Sequence, residues 1–265
     1  MTVLTAPSFT DPWTDVELGT CLGVPLAIGG ELTPETLLGA YRRGIFCQPR
    51  SDRDIIARNE ATYAPDVRAG HIPVLPGPGN PYATLWWSPA SRYAIPVREI
   101  RVSRSLRRQM REAGWTSTVN ADFDAVIAGC RTDREPRWIT DELVEALRAL
   151  HTEGWIRTVE IWHGETLVGG LYGCAMSSVF TMDSAFHTMS GAAKTAIADL
   201  ADRVAPSGVE LLDAQVRTEY TVQMGSRAFP RDTYLDCLRR GAYEQGDMAM
   251  ERRPAHLLGL PRRSR

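Results

Sequence analysis

The chain has 265 residues, 43% of them hydrophobic, and its 30 basic side chains against 32 acidic ones leave a net charge of −2, which suits one large domain or a small and a medium one. No apolar run approaches the roughly 18 to 20 residues of a membrane span, and residues 1–20 carry Asp11, Asp15 and Glu17 where a signal peptide has a basic start and an apolar centre. Five cysteines without a CxxC and five histidines without ligand spacing suggest neither a zinc site nor a redox pair, so a cytoplasmic protein with no metal, cofactor or membrane partner is expected.

Thr33-Pro34-Glu35 reads as a helix start, with a capping hydroxyl, a first-turn proline and an acid near the positive end of the dipole. The helix runs to Arg43 and stops at Gly44. Residues 47–85 are polar and irregular, with Pro73, Pro76, Pro78 and Pro81 among Gly77, Gly79 and Asn80, which predicts a long loop or insertion. A boundary at 86–89 divides the chain into a small N-terminal domain, 1–88, containing that insertion, and a larger domain, 89–265, with a basic tail.

In 103–113, Leu106, Met110 and Ala113 form an apolar stripe at helical spacing, while Arg104, Arg107, Arg108 and Arg111 lie on another face. A second helix covers 122–130. Thr140 caps a third, with Asp141 and Glu142 in its first turn and Leu143, Val144, Leu147 and Leu150 facing inward. The period then changes to two. Residues 156–162 and 166–172 read as strands joined at His163-Gly164-Glu165. A third strand, 175–182, leads through 183–190 into a helix that buries Ala193, Ala196, Ile197, Leu200, Ala201 and Val204. Residues 209–216 are another strand. Strands, then a helix, then a strand indicate an α/β (α+β) domain with a mixed sheet.

Asp213 and Gln215 are two apart on that last predicted strand, so their side chains leave the same face. Such a pair either presents a polar couple to a ligand or satisfies itself at a strand end, and a bare D-x-Q is common. Asp183 is either a turn carboxylate or a group facing a cationic substrate. Trp86 and Trp87 either stack on a base or seal a domain junction. Lys194 is the sole lysine among 30 basic residues, a chance survivor or a functional group.

Trp86-Trp87-Ser88-Pro89, Trp138-Ile139-Thr140, Val159-Glu160-Ile161-Trp162, Leu167-Val168-Gly169-Gly170-Leu171-Tyr172-Gly173, Asp183-Ser184-Ala185-Phe186, Lys194-Thr195-Ala196 and Leu212-Asp213-Ala214-Gln215 follow one another in this order. Over residues 29–240 the chain resembles the leucyl/phenylalanyl-tRNA–protein transferases. The resemblance implies a GNAT-like acyltransferase fold for the C-terminal domain. It implies a monomer that moves Leu, Phe or Met from aminoacyl-tRNA to the N-terminal Arg or Lys of an acceptor protein, marking it for N-degron proteolysis, without a cofactor. It implies catalytic roles for Asp213, Gln215 and Asp183, with Gln215 orienting the attacking amine and Asp213 fixing Gln215 and offsetting the acceptor's charge. The aminoacyl pocket would be Trp138, Leu171, Phe180, Ala185, Leu200 and Leu212, positions where ordinary core packing is the competing role. The tRNA would meet Trp86, Trp87, Arg104, Arg107, Arg108, Arg111 and Lys194.

This chain departs from the family pattern in places. The family usually has Glu where Asp183 stands and Met where Ala185 stands, which leaves extra volume beside the ester and favours phenylalanyl donors. Its usual Gly-Ile-Phe-Pro-Trp becomes Gly44-Ile45-Phe46-Cys47-Gln48. These departures keep open a small-molecule amine as acceptor, and a non-catalytic tRNA-binding protein is a further reading. Acetyl-CoA is disfavoured, because residues 186–194 hold only Gly191 and no pyrophosphate loop.

Overall fold

The computed structural model describes residues 11–14, 16–17, 23–132, 135–176, 178–240, 248 and 250–255. Most of residues 1–20, on which the signal-peptide reading falls, lies outside the described residues, as do Cys21 and most of the basic tail. Among these residues no helix is long and apolar enough to cross a membrane.

The first elements build a four-stranded sheet of order β2-β4-β1-β3. They are β1 (Ala27–Gly29), α1 (Pro34–Arg42), β2 (Phe46–Pro49), α2 (Arg53–Arg68), β3 (Val74–Leu75) and β4 (Thr84–Trp87). Helix α1 begins as its sequence predicts, with the Thr33 side chain accepting from the Thr36 amide at 3.2 Å. The expectation of an irregular 47–85 is corrected: α2 occupies 16 of those residues. Asp52 caps α2, accepting from the amides of Asp54 at 2.9 Å and Ile55 at 3.0 Å. The helix escaped the periodicity test because it buries no residue completely and carries Pro65 in its interior. Only Tyr63 and Val67 lean on Ile28, Ile72 and Leu85.

The remaining elements form an eight-stranded mixed sheet of order β11-β5-β10-β9-β8-β7-β6-β12 and its helices. In chain order they are β5 (Ser91–Pro96), α3 (Arg104–Ala113), β6 (Thr116–Val119), α4 (Phe123–Arg131), α5 (Asp141–Thr152), β7 (Ile156–His163), β8 (Thr166–Met176), β9 (Val179–His187), α6 (Ala192–Val204), β10 (Leu211–Asp213), α7 (Glu219–Val222), β11 (Arg227–Pro230), α8 (Arg231–Arg240) and β12 (Arg253–Pro254). The α/β class with a mixed sheet therefore stands. Thr140 caps α5 as its sequence predicts, and α3 and α4 begin at the expected positions, where Ser103 and Asp122 prove to be their caps. The β7–β8 hairpin also lies where the sequence puts it, and its His163 pairs with Thr166.

Strand ends moved more than helix ends. β8 continues to Met176, and β9 runs through the residues expected to lead into α6. β10 stops at Asp213, short of the expected 216. Neighbouring strands satisfy backbone groups whatever the side-chain pattern, so pairing can extend or cut short a strand beyond its alternating stretch.

Helices cover both faces of the large sheet, and alternate strand residues enter different cores. Under α3 and α6 lie Met110, Val159, Leu171, Phe180, Ile197, Leu200 and Leu212. On the other face, α4 and α5 pack on Tyr172, Cys174 and Met176, in a cluster that also takes in Trp13, Tyr41, Ile45, Trp86, Ala94 and Tyr234. That cluster joins the small sheet and α1 to the large sheet in one continuous apolar body.

Candidate active site

The site begins at a bulge in β9. Tyr172 pairs with Ser184 while Gly173 pairs with Met182, which leaves Asp183 as the extra residue. A bulge re-aims the side chain it frees. Gly173 permits the close approach, because a Cβ there would sit 2.0 Å from the Thr181 carbonyl oxygen. Asp183 was expected just after a strand; it lies within one, and the bulge rather than a turn presents it.

The Asp183 carboxylate accepts from the Tyr41 hydroxyl at 2.6 Å and from Gln215 Nε2 at 2.8 Å. Burial, and to a lesser degree the negative Asp213, push its pKa up to about 7, against the pull of the Tyr41 and Gln215 hydrogen bonds and the charge of Arg92. Burial and the adjacent Asp183 raise the Tyr41 phenol, which therefore remains a donor. The Cys47 thiol nearby is also pushed up by burial, then by Asp183, and stays un-ionised.

Asp213 plays a different part from the one expected. It is fully buried and ion-paired with Arg92 at 2.6 Å, and it also accepts from the Tyr234 hydroxyl at 3.0 Å. Arg92 lies between the rings of Phe46 and Tyr234, 4.8 and 4.7 Å from their centroids, and donates to the Gly44 carbonyl at 3.1 Å. A carboxylate so neutralised and enclosed has no free charge to offset on an acceptor. It does fix Gln215, through the backbone: the Gln215 amide donates to Asp213 Oδ1 at 2.7 Å. Because β10 ends at Asp213 and Gln215 turns to φ 61°, the two side chains do not share a strand face. That turn swings the Gln215 amide group onto Asp183.

Asp183, Gln215 and Cys47 line a cavity of about 490 Å³. Of the residues expected in an apolar pocket, Trp138, Leu171 and Ala185 line it. Phe180, Leu200 and Leu212 do not line it; they share a fully buried core cluster with Leu171, which alone of the four reaches the cavity wall. Met182, Ala193, Ile197 and Tyr220 complete the apolar wall. An adjoining cavity of about 350 Å³ shares His187, Ala193 and Tyr220 with the first, and reaches Lys194 and the start of α3 at Ser103. Lys194 Nζ donates to Gln223 Oε1 at 2.5 Å and lies 5.4 Å from the Tyr220 ring centroid. Arg104, Arg108 and Arg111 are exposed on α3 and Arg107 half-buried. Glu112 approaches only Arg108, at 3.8 Å.

The base-stacking reading of Trp86 is corrected. Trp86 is fully buried, its Nε1 donates to the Gly29 carbonyl at 2.7 Å, and it meets Trp13 edge-on. Trp87 is half-buried against Tyr63 of α2. Tyr41, Arg92 and Tyr234 were missed. Their neighbours in the site are distant in the chain and no local spacing marks them, although an arginine inside the apolar alternation of β5 was a detectable oddity.

A family model described as leucyl/phenylalanyl-tRNA protein transferase matches residues 94–239. The chain is 37% identical over 216 residues to the leucyl/phenylalanyl-tRNA–protein transferase of Shewanella baltica, covering 80% of this chain and 79% of that protein. It is 39% identical over 216 residues to the one from Chromohalobacter salexigens, covering 80% and 73%. With the one from Shewanella piezotolerans the identity is 34% over 217 residues, covering 81% and 80%.

Proposed function

Because the chain belongs to the leucyl/phenylalanyl-tRNA protein transferase family, we propose that it moves a leucyl or phenylalanyl group from tRNA to the N-terminal amine of an acceptor protein. The observation that carries this reading is the hydrogen-bonded Tyr41–Asp183–Gln215 group, whose Asp183 and Gln215 line a cavity that also presents the apolar Trp138, Leu171, Met182, Ala185 and Ile197. The relatives are named for a protein acceptor, so the small-amine alternative has no support from them.

The donor side chain lies against the apolar side chains of Trp138, Leu171 and Ala185. Such a wall selects by shape and burial, worth about 1–3 kcal/mol per methylene. The acceptor nitrogen attacks the ester carbonyl carbon, the bond to the ribose oxygen breaks, and that oxygen leaves as a hydroxyl carrying a proton the nitrogen gives up. An N-terminal amine titrates near 7.7 to 8, and Asp183 at about 7 is close enough to take that proton and pass it on. Gln215 holds Asp183 through its amide nitrogen and offers its oxygen to the amine. Asp183 also faces the cationic side chain of an N-terminal Arg or Lys, the acceptor class of an N-degron enzyme. The arginines of α3 and Lys194 meet tRNA phosphates by charge and shape. The order of β7, β8 and β9 before α6 and the parallel β10 supports reading the large sheet as a GNAT-like unit; that the unit acts as a monomer is part of the same proposal.

The test uses labelled leucyl-, phenylalanyl- and lysyl-tRNA with a peptide that begins with arginine. The first two donors should label the peptide, the third should not, and Ala185→Met should move the ratio toward leucine. Transfer from lysyl-tRNA at a similar rate would overturn the apolar wall, and no labelling from any donor would overturn the reaction.

A further inference from the structure

Beside the reactive cavity runs a larger groove of about 620 Å³. Its floor is largely apolar: Gly29 at the end of β1, Gly30 and Leu32 after it, Pro34 at the start of α1, and Ala146 of α5. Arg50 lines both the groove and the reactive cavity, so the two abut there. A polypeptide whose first nitrogen lies at Asp183 would leave along this side. Through His187, Ala193 and Tyr220 the reactive cavity also adjoins the one that reaches Lys194 and α3, the helix that carries the exposed arginines.

The rim of the groove is acidic. Glu31, Glu142 and Glu145 are exposed along it, and among the described residues none of the three makes an ion pair. Neighbouring Asp141, by contrast, is held by Arg131 at 2.7 Å. Glu142 and Glu145, three apart on α5, project from one helix face as like charges without compensation. Arg50 is the sole cation lining the groove. Its half-buried guanidinium makes one long contact, to the Pro49 carbonyl at 3.4 Å, so most of its five donors are free to meet backbone carbonyls.

From this charge pattern and continuity we propose that the groove receives the acceptor polypeptide just beyond its N-terminal residue, and favours acceptors with basic side chains in that stretch. The inference rests on the aminoacyl-transfer reading above. The donor, a polyanion, enters at the basic end; the acceptor enters at the acidic end. Arg50 takes carbonyl oxygens of the extended acceptor, and the three glutamates take its cationic side chains.

The experiment compares an arginyl dipeptide amide with a longer acceptor that also begins with arginine and has lysines in its next few residues. Glu142→Gln/Glu145→Gln in the full chain changes only exposed side chains outside the reactive cavity. The KM for the longer acceptor should rise about fivefold, the worth of two exposed ion pairs, while kcat and the dipeptide KM stay unchanged. Binding of the labelled longer peptide without donor should weaken by the same factor. If the parent enzyme turns over both acceptors and the double variant leaves their KM ratio and the peptide affinity unchanged, the groove assignment is overturned and the transfer reading stands. If the parent binds the longer peptide in a glutamate-dependent way but transfers to neither acceptor, the groove stands as a basic-peptide site and the transfer reading falls.

Discussion

Two aspartates hold the same glutamine, and their environments predict opposite consequences of the same substitution. Asp213 is half of a fully buried ion pair with Arg92. Asp213→Asn leaves that arginine uncompensated, a loss of about 3–5 kcal/mol, so its main effect should be a lower Tm at every pH where the protein folds. Asp183 has its pKa raised to about 7 by burial, so the native form disfavours its ionisation. Its stabilising contribution is complete below the ordinary carboxylate value of 3.8 and is lost as pH rises through about 7. Asp183→Asn, which cannot ionise, should therefore gain Tm relative to the parent as pH rises, while transfer falls by about 100-fold or more and the rate limb near pH 7 disappears. Thermal unfolding across this pH range, with pH–rate profiles, checks both; a Tm difference independent of pH would remove the raised pKa from Asp183.

At the level of elements, α3 was legible because apolar and basic residues sort onto separate faces, and the structure keeps Arg104, Arg108 and Arg111 exposed. If that face binds phosphates, Arg107→Ala/Arg108→Ala should weaken several tRNAs alike and reduce the slope of log affinity against log salt by about 1.4 to 1.8. An unchanged slope in a filter-binding titration would show that the arginines face only solvent. Helix α2 was illegible for the converse reason: with Pro65 inside and no residue fully buried, it has no apolar stripe. The β9 bulge left no pattern either, since one extra residue is defined only against the partner strand.

Across the whole molecule, one apolar cluster joins Tyr41, Ile45 and Trp86 to Ala94, Tyr172 and Tyr234, and Arg92 ties the Gly44 carbonyl to Asp213. The two sheets divide between β4 and β5, near the boundary drawn from sequence, but they share this core. Calorimetry should accordingly give one cooperative transition, with calorimetric and van't Hoff enthalpies in agreement. Two resolved transitions would show that residues 1–88 and 89–265 fold as separate units.

Local chemistry determined much of this protein by itself. Capping hydroxyls at Thr33 and Thr140 set two helix starts, apolar periods of 3.6 and two separated helices from strands, and the order of short segments identified the family and brought Asp183 and Gln215 to notice. Which apolar residues line the cavity and which lie behind it was decided only in three dimensions: Leu171 and Leu212 follow the same alternation, yet one reaches the cavity and the other does not. The same holds for the two aspartates. Asp213 is held in a buried ion pair because Arg92, from a strand distant in sequence, enters the core beside it, and Asp183 meets Tyr41 and Gln215 because a bulge aims it at them. Burial and charge pairing depend on what the rest of the chain brings alongside, and spacing along the sequence does not encode that.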